Sequence, residues 1–245
     1  MDVTEDRLLG GRLRIRQPRE GYRAGMDAAL LAAACDAEPG ERLVEAGCGA
    51  GAALLAAAFR RPGVRFVGIE SDPEVLALAA QNIVLNGLEA RVEARLGDVG
   101  APFVRLQVPV FDAALANPPF FDDPAALRAP HPAKRAAWIA AEGLASWCGF
   151  LVKAVREKGT ITLIHRADRL ADIMAELAPK AGSFMVRPIH PFADEPAKRV
   201  LVRAVKTGRA PLRLLPPLIL HRRGGAKHTA EAEAILRGEA ALDWT

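Results

Sequence analysis

The stretch Arg42-Leu43-Val44-Glu45-Ala46-Gly47-Cys48-Gly49-Ala50-Gly51, running on into the alanine-rich Ala52 to Arg60, decides the fold. A short apolar run enters a glycine turn, and a helical run leaves it. The glycines permit a tight turn and let a ligand come close to the backbone. A purely structural strand-to-helix turn would look the same when taken alone.

Working outward, Val64 to Glu70 reads as a second strand. Asp72 is a good N-cap and Pro73 a good first helical residue, so a helix should run to about Asn86 and stop at Gly87. Arg91 to Leu96 and Val110 to Ala116 read as further strands, the latter ending at Asn117-Pro118-Pro119-Phe120, where proline forbids both helix and central strand. A long helix over Lys134 to Arg156, a strand over Thr160 to Ile164 and a helix over Asp168 to Leu177 follow. Ser183 to Ile189 and Arg199 to Val205 close the series. Strands alternating with helices predict an α/β class with a doubly wound, mostly parallel, seven-stranded sheet. We expect one domain over residues 1–245, with a basic N-terminal segment (1–40) and a basic C-terminal appendage (207–245).

A chain of 245 residues with 51% hydrophobic content can bury a substantial core. The N-terminal MDVTEDRLLGG places acids where a signal peptide needs bases, and apolar runs such as Ala28 to Cys35 fall short of the ~20 residues that span a bilayer. A cytoplasmic location is expected. Cys35, Cys48 and Cys148 have no metal-ligand spacing, and the histidines at 131, 165, 190, 221 and 228 are scattered, so no metal is expected. Trp138 and Trp147 fall in the long helix, where packing is favoured over base stacking.

Net charge is only +4, but it is unevenly spread. No acid occurs from Pro196 to Ala230, while Lys198, Arg199, Arg203, Lys206, Arg209, Arg213, Arg222, Arg223 and Lys227 all do. Arg7, Arg12, Arg14, Arg16, Arg19 and Arg23 face the single acid Glu20 within their stretch. Such segments can attract a phosphate backbone, hence an RNA partner; the bland alternative is a solvated face whose compensating acids lie elsewhere. Tyr22 and Arg23 could cover a cofactor, meet RNA or pack locally.

Glu70 closes the second strand about 20 residues beyond Gly47, where an acid can accept from both hydroxyls of a ribose. A dinucleotide fingerprint spaces its glycines G-x-G-x-x-G. Here Gly47, Gly49 and Gly51 follow G-x-G-x-G with Glu45 two residues ahead, which resembles motif I of the class I S-adenosylmethionine methyltransferases. The resemblance implies a Rossmann-like fold and S-adenosyl-L-methionine as cofactor. It sets Glu45 near the methionine part, makes Gly47, Cys48, Gly49 and Gly51 cofactor-binding positions of the loop, and makes Gly97-Asp98-Val99 a turn whose Asp98 accepts from the adenine amine. Asp98 could also simply close a turn.

In Asn117-Pro118-Pro119-Phe120 the chemistry can be argued from the residues. The lone pair of an exocyclic amine is delocalised into its ring, so a site must hold the nitrogen in line with the methyl group. The Asn117 side-chain oxygen and the Pro118 carbonyl can accept its two protons, and a proline-rich turn holds them rigidly. Phe120 can stack on the planar group. Asn117 would thus serve catalysis while also bordering the cofactor. The tetrapeptide resembles motif IV of both adenine-N6 and glutamine-N5 methyltransferases, so it leaves the acceptor open. Gln17-Pro18, Gly21 to Leu31, Leu163 to Leu170 and Lys198 to Val202, together with these motifs, are similar to the bacterial tRNA1(Val) adenine-37 N6-methyltransferase family.

That resemblance implies an adenosine beside an anticodon, splayed out of its stack. The sequence departs from the family at Phe120, where many relatives carry tyrosine, and at Lys158-Gly159-Thr160, where Pro-Gly-Gly is common. The alternatives are a glutamine-N5 protein methyltransferase, for which the few residues before motif I leave little room, and a catalytically silent nucleic-acid-binding protein on the same scaffold.

Overall fold

The computed structural model describes residues 2–19, 23, 25–119, 143–224 and 226–245. The chain opens with an antiparallel hairpin, β1 (Val3–Leu8) and β2 (Leu13–Pro18), and helix α1 (Met26–Ala33). Strands and helices then alternate: β3 (Arg42–Ala46), α2 (Ala52–Arg60), β4 (Arg65–Glu70), α3 (Pro73–Leu85), β5 (Val92–Leu96), β6 (Phe111–Ala116), α4 (Leu144–Ala154), β7 (Val155–Arg166), α5 (Leu170–Leu177), β8 (Ala181–His190) and β9 (Arg199–Lys206). Two short strands, β10 (Arg213–Leu214) and β11 (Leu218–Ile219), and helix α6 (Ala230–Leu236) complete the described elements.

The expected α/β class with a mostly parallel sheet is borne out. The strand order is β10-β8-β9-β7-β6-β3-β4-β5, with β11 also on β8. Only β9 runs against its neighbours β7 and β8. The sheet has nine strands rather than seven, because β10 and β11 extend the β8 edge in parallel register.

Alternate residues of each central strand feed two cores, as the two-residue period of a strand requires. Leu43, Phe66 and Leu115 face the layer of α1, α2 and α3, whereas Val44, Val67 and Ala116 face α4 and α5. Every residue of α2 from Ala52 to Ala58 is buried, which suits a helix enclosed on all sides. Helix α3 begins as expected: Asp72 Oδ1 accepts the amides of Glu74 (2.8 Å) and Val75 (3.2 Å), and Gly87 follows the helix in the left-handed region.

Two expectations are corrected. The long helix ends at Ala154 rather than Arg156, and its first part, including Trp138, lies outside the described residues. β7 begins at Val155 rather than Thr160. Its register with β6 jumps from Phe111 opposite Val155 to Ala113 opposite Thr160, so the Lys158-Gly159 turn is a bulge inside a strand. A side chain at Gly159 would stand 2.8 Å from the Arg156 and Asp112 carbonyls, which is why glycine is needed there.

The β1–β2 hairpin is among the elements the sequence reading missed, with α1, β10, β11 and α6. Leu13, Ile15 and Gln17 are buried in alternation, a period-two signal obscured by the arginines between them. The outer edge of β2 is paired by two asparagines four residues apart, Asn82 on α3 and Asn86 at its C-cap. Asn86 accepts from Arg14 N (3.0 Å) and donates to Arg14 O (2.7 Å), and Asn82 does the same for Arg16 at 2.8 and 2.9 Å. Their side-chain amides thus stand in for a neighbouring strand.

Candidate functional site

The carboxyl ends of β3, β4, β5 and β6 bring the predicted residues together, the place where open α/β sheets bind ligands. Gly47, Gly49 and Gly51 all adopt positive φ, at +61°, +56° and +90°. The loop is braced by Cys48 N to Ile69 O and Gly51 N to Cys48 O, both 2.9 Å. Two of the glycines meet opposite surroundings. A side chain at Gly49 would enter open space, whereas one at Gly47 would overlap the indole of Trp147.

Glu70 is held by three backbone amides. Its Oε2 accepts from Gly49 N (2.9 Å), and its Oε1 accepts from Ser71 N and Asp72 N (2.9 Å each). Ser71 Oγ adds a longer contact to Oε1 at 3.4 Å, so the acceptor position left for a ligand hydroxyl lies on Oε2, whose one partner is Gly49 N. The acid is therefore aimed across the loop before any ligand arrives.

Glu45 is the opposite case. It is 2% exposed and receives the Leu54 amide, while its Oε2 is buried without a hydrogen-bond partner. Burial pushes its carboxyl well above the ordinary range, and the charge of Glu70 adds to the effect. Beneath the loop, Cys48 is also buried, and a side chain at Gly68 would strike its Sγ at 2.6 Å. Burial raises all three thiols, Cys35 to about 11 and Cys148 to about 12, which makes them poor nucleophiles at neutral pH.

Asp98 is exposed, and its Oδ1 accepts from Gly100 N at 2.7 Å. It closes its turn, and a cavity of ≈ 370 Å³ opens beside it, lined among others by Val99, Phe103, Ser146, Gly149, Phe150 and Lys153. The small residues Ser146 and Gly149 of α4 keep that cavity open, and no periodic signal in the sequence announces it. Ala46 pairs with Ala116, so Gly47 and Asn117 leave adjacent strands side by side. Asn117 is half-buried, Pro118 buried and Pro119 exposed. Phe120 and Tyr22 lie outside the described residues.

Two residues at the site went unrecognised in the sequence. Asn82 is fully buried, and besides bracing the hairpin its Nδ2 donates to Ala50 O at 2.9 Å, tying the glycine loop to α3. A polar residue on the apolar stripe of Leu78, Ala79 and Ile83 was the available signal. Trp147 was read as packing, and it is buried, but against the loop itself.

Many arginines read as free positive charge are paired with acids distant in sequence or across the hairpin. Arg199 meets Asp27 (3.0 Å), Arg203 meets Asp36 (2.6 Å), and Arg223 meets Asp194 and Glu195 (3.1 Å each). Arg14 meets Glu5 at 2.8 Å and Arg19 meets Asp2 at 2.6 Å. Arg23 bonds Asp6 (2.6 Å), Thr4 and the Pro18 carbonyl, so among the described residues its contacts are with the hairpin. Lys198, Arg209, Arg213, Arg222 and Lys227 are exposed and make no ion pair among the described residues. Among those residues no group of three or more potential metal ligands gathers, and no helix is long and apolar enough to cross a membrane.

Known proteins give this geometry a context. A family profile described as a methyltransferase domain matches residues 37–189. A tRNA1(Val) (adenine(37)-N6)-methyltransferase of Flavobacteriaceae bacterium (strain 3519-10) is 30% identical over 108 residues, 44% of this chain and 46% of that protein, so the match spans about half of either. The protein of the same name from Trichodesmium erythraeum is 26% identical over 200 residues, 78% of this chain and 81% of that one. A release factor glutamine methyltransferase from Gloeobacter violaceus is 35% identical over 86 residues, 35% of this chain and 29% of that one. Among solved structures, a predicted O-methyltransferase from Agrobacterium tumefaciens superposes with a TM-score of 0.74 at 27% identity, covering 88% of this chain and 98% of that one.

Proposed function

The chain belongs to the methyltransferase domain family and is an S-adenosylmethionine-dependent methyltransferase, and from that premise we propose that it methylates the N6 amine of an adenine in RNA, most specifically a tRNA adenine near the anticodon. The observation that carries this reading is the adjacency of the Asn117-Pro118-Pro119 turn to Gly47, fixed by the pairing of Ala46 with Ala116. This adjacency supports a role for the turn in holding a planar amine beside the glycine loop.

The residues present fit the cofactor. Gly49 offers open backbone, Glu70 Oε2 keeps acceptor capacity for a ribose hydroxyl, and Asp98 directly precedes Val99 and Gly100, which line a cavity. Gly47, Cys48 and Gly51 shape the loop, with Glu45 beneath it. When bound, the cofactor supplies an electrophilic methyl group on a sulfonium. The Asn117 oxygen and the Pro118 carbonyl hold the two amine protons, orient the nitrogen and favour its pyramidal form, so no strong base is needed. Pro119 stiffens the turn, and stacking on the base is the role we propose for Phe120, which lies outside the described residues. The exposed, unpaired Lys198, Arg209, Arg213, Arg222 and Lys227 would hold phosphates, with residues 1–245 acting as one domain and its basic terminal parts facing the RNA.

Labelled cofactor offered with unmodified total tRNA and, separately, with a release factor tests the acceptor. Label in tRNA, recovered as N6-methyladenosine after digestion, is expected; label only in the release factor would replace this reading with the glutamine-amide one that the Gloeobacter relative's name supports. Asn117→Ala should lower turnover about 10³-fold, roughly 4 kcal/mol in the barrier, while cofactor affinity changes little.

A further inference from the structure

A group of rings stands at the carboxyl edge of the sheet, away from the glycine loop. Ile219 of β11 lies opposite His190 of β8, and the chain leaves at that edge through Leu220 and His221, whose amides donate to His190 O (2.9 Å) and Pro191 O (2.8 Å). His221 bridges His228 in antiparallel fashion, their ring centroids 5.1 Å apart, and Phe192 lies 5.5 Å from His221. The guanidinium of Arg223 covers the Phe192 ring, with Cζ 4.7 Å from its centroid.

The surroundings of Arg223 leave one part of it open. Its Nε and Nη2 donate to Asp194 (3.3 and 3.2 Å), and Nη2 donates to Glu195 (3.1 Å). Two carboxylates thus take an edge of the planar group, and Phe192 takes one face. The side chain is still 62% exposed, so the opposite face meets solvent. An ion pair and a cation–π contact at such exposure add little to stability, which makes stability a weak reason for the arrangement.

Sheet order relates this group to the Asn117 turn. Strands β6, β7, β8 and β11 point the same way, so Asn117 and His221 emerge at the same edge. Four strand spacings separate β6 from β11, about 19 Å at ~4.8 Å each. Lys198, whose amide donates to Ile189 O, stands between them at the start of β9, and Arg222 and Lys227 flank the rings. All three are exposed and make no ion pair among the described residues. A single-stranded nucleic acid offers phosphates for the cations and unstacked bases for a guanidinium plane, whereas a duplex offers the phosphates alone.

We propose that Arg223, seated on Phe192, is a stacking platform for an unpaired base of the RNA that carries the target adenine. Arg222 and Lys227 take phosphates beside it. Arg223, its charge met by Asp194 and Glu195, supplies the plane rather than the charge. The proposal rests on RNA as the substrate, and the experiment separates the two.

Fluorescence anisotropy on the full chain, with labelled unmodified total tRNA and with a labelled blunt RNA duplex of the same length, tests it. Arg223→Lys keeps the charge and loses the plane. It should weaken tRNA binding about 10-fold, leave the salt dependence of that binding unchanged, and leave duplex affinity within about twofold. Arg222→Lys, at a phosphate contact, should stay within about twofold on both. Phe192→Leu should weaken tRNA as Arg223→Lys does. Binding of tRNA by Arg223→Lys within twofold of the parent, or equal weakening on tRNA and duplex, overturns the proposal. Methyl transfer by the parent tells the two readings apart: if it labels tRNA while Arg223→Lys binds like the parent, the platform falls and the RNA substrate stands. If the parent leaves tRNA unlabelled, both fall.

Discussion

The glycine loop after β3 and the segment from Thr207 to Thr245 each carry a compositional signal, glycine in one and positive charge in the other, yet the fold uses them in opposite ways. The loop stays at the carboxyl edge of the sheet. Its glycines take positive φ, one of them faces open space, and the acid across from it is already aimed. The C-terminal segment turns inward. Leu215, Leu218, Leu220, Ala232, Ile235, Leu242 and Trp244 join the core of α1 and α2. Leu242 N and Trp244 Nε1 donate to Ala33 O (2.9 Å) and Ala34 O (2.8 Å), satisfying carbonyls at the end of α1 that the helix leaves open. Arg60 and Arg187 reach further carbonyls of the same segment, at Ala240 (2.7 Å) and Pro216 (3.0 Å). Glycine marked a candidate site because its backbone freedom acts where it stands. Positive charge marked a segment whose side chains divide between structural bonds and exposure.

The contrast can be broken most forcefully at Trp244. Trp244→Ala should lower stability by about 3 to 4 kcal/mol, as loss of a buried aromatic with its hydrogen bond does, and urea denaturation reads it directly. A loss below about 1 kcal/mol would return the C-terminal segment to the status of an appendage. Next comes the exposed positive set. Replacing Arg209, Arg213, Arg222 and Lys227 together by Gln should flatten the log-log salt dependence of RNA binding by roughly 3 units, at ~0.7 per contact, and leave the melting temperature nearly unchanged. Arg199→Gln with Arg203→Gln should do the reverse, because those two hold Asp27 and Asp36. If both sets affect RNA binding alike, pairing in the folded chain does not decide which charges meet RNA.

At the loop the expected effects are smaller and sharper. Glu70→Gln should cost about 10-fold in cofactor affinity, since it removes charge from hydrogen bonds worth ~1.5 to 3 kcal/mol each. Unchanged affinity would mean that Glu70 serves only the backbone amides it already holds. The finest test concerns Glu45, whose folded-state carboxyl ionises above the usual glutamate value of 4.5 because it is buried. The raised value favours the folded chain below pH 4.5, and this contribution is lost as pH climbs from there through the folded-state value. Glu45→Gln lacks that loss, so its melting temperature should gain on the parent's as pH rises from about 5 to 8. A constant difference across that range would show that Glu45 is ionised in both states.

Much of the fold was legible because local chemistry and period agreed. Asp72 and Pro73 announce α3, Gly87 stops it, and Leu43 to Ala46 can be little else than a buried strand. The candidate site was legible in its glycines, in Glu70 and in the Asn117 turn, whose residue types are chosen by backbone geometry and hydrogen-bonding capacity. The β1–β2 hairpin escaped because arginines interrupt its apolar alternation, and what braces it is a pair of asparagines, Asn82 on α3 and Asn86 at its C-cap. The end of α4 was misplaced because a β-bulge at Lys158-Gly159 resembles a turn between elements.

The sequence by itself determined an α/β chain with a glycine loop, an acid beyond it and an Asn-Pro-Pro turn, because each of those depends on residues close together along the chain. Only the tertiary structure decided that Trp147 lies on Gly47, that Asn82 braces both hairpin and loop, and which arginines stay free. Those outcomes depend on the distances that strand order and helix packing set between residues far apart in sequence, and no local pattern of charge or polarity encodes them.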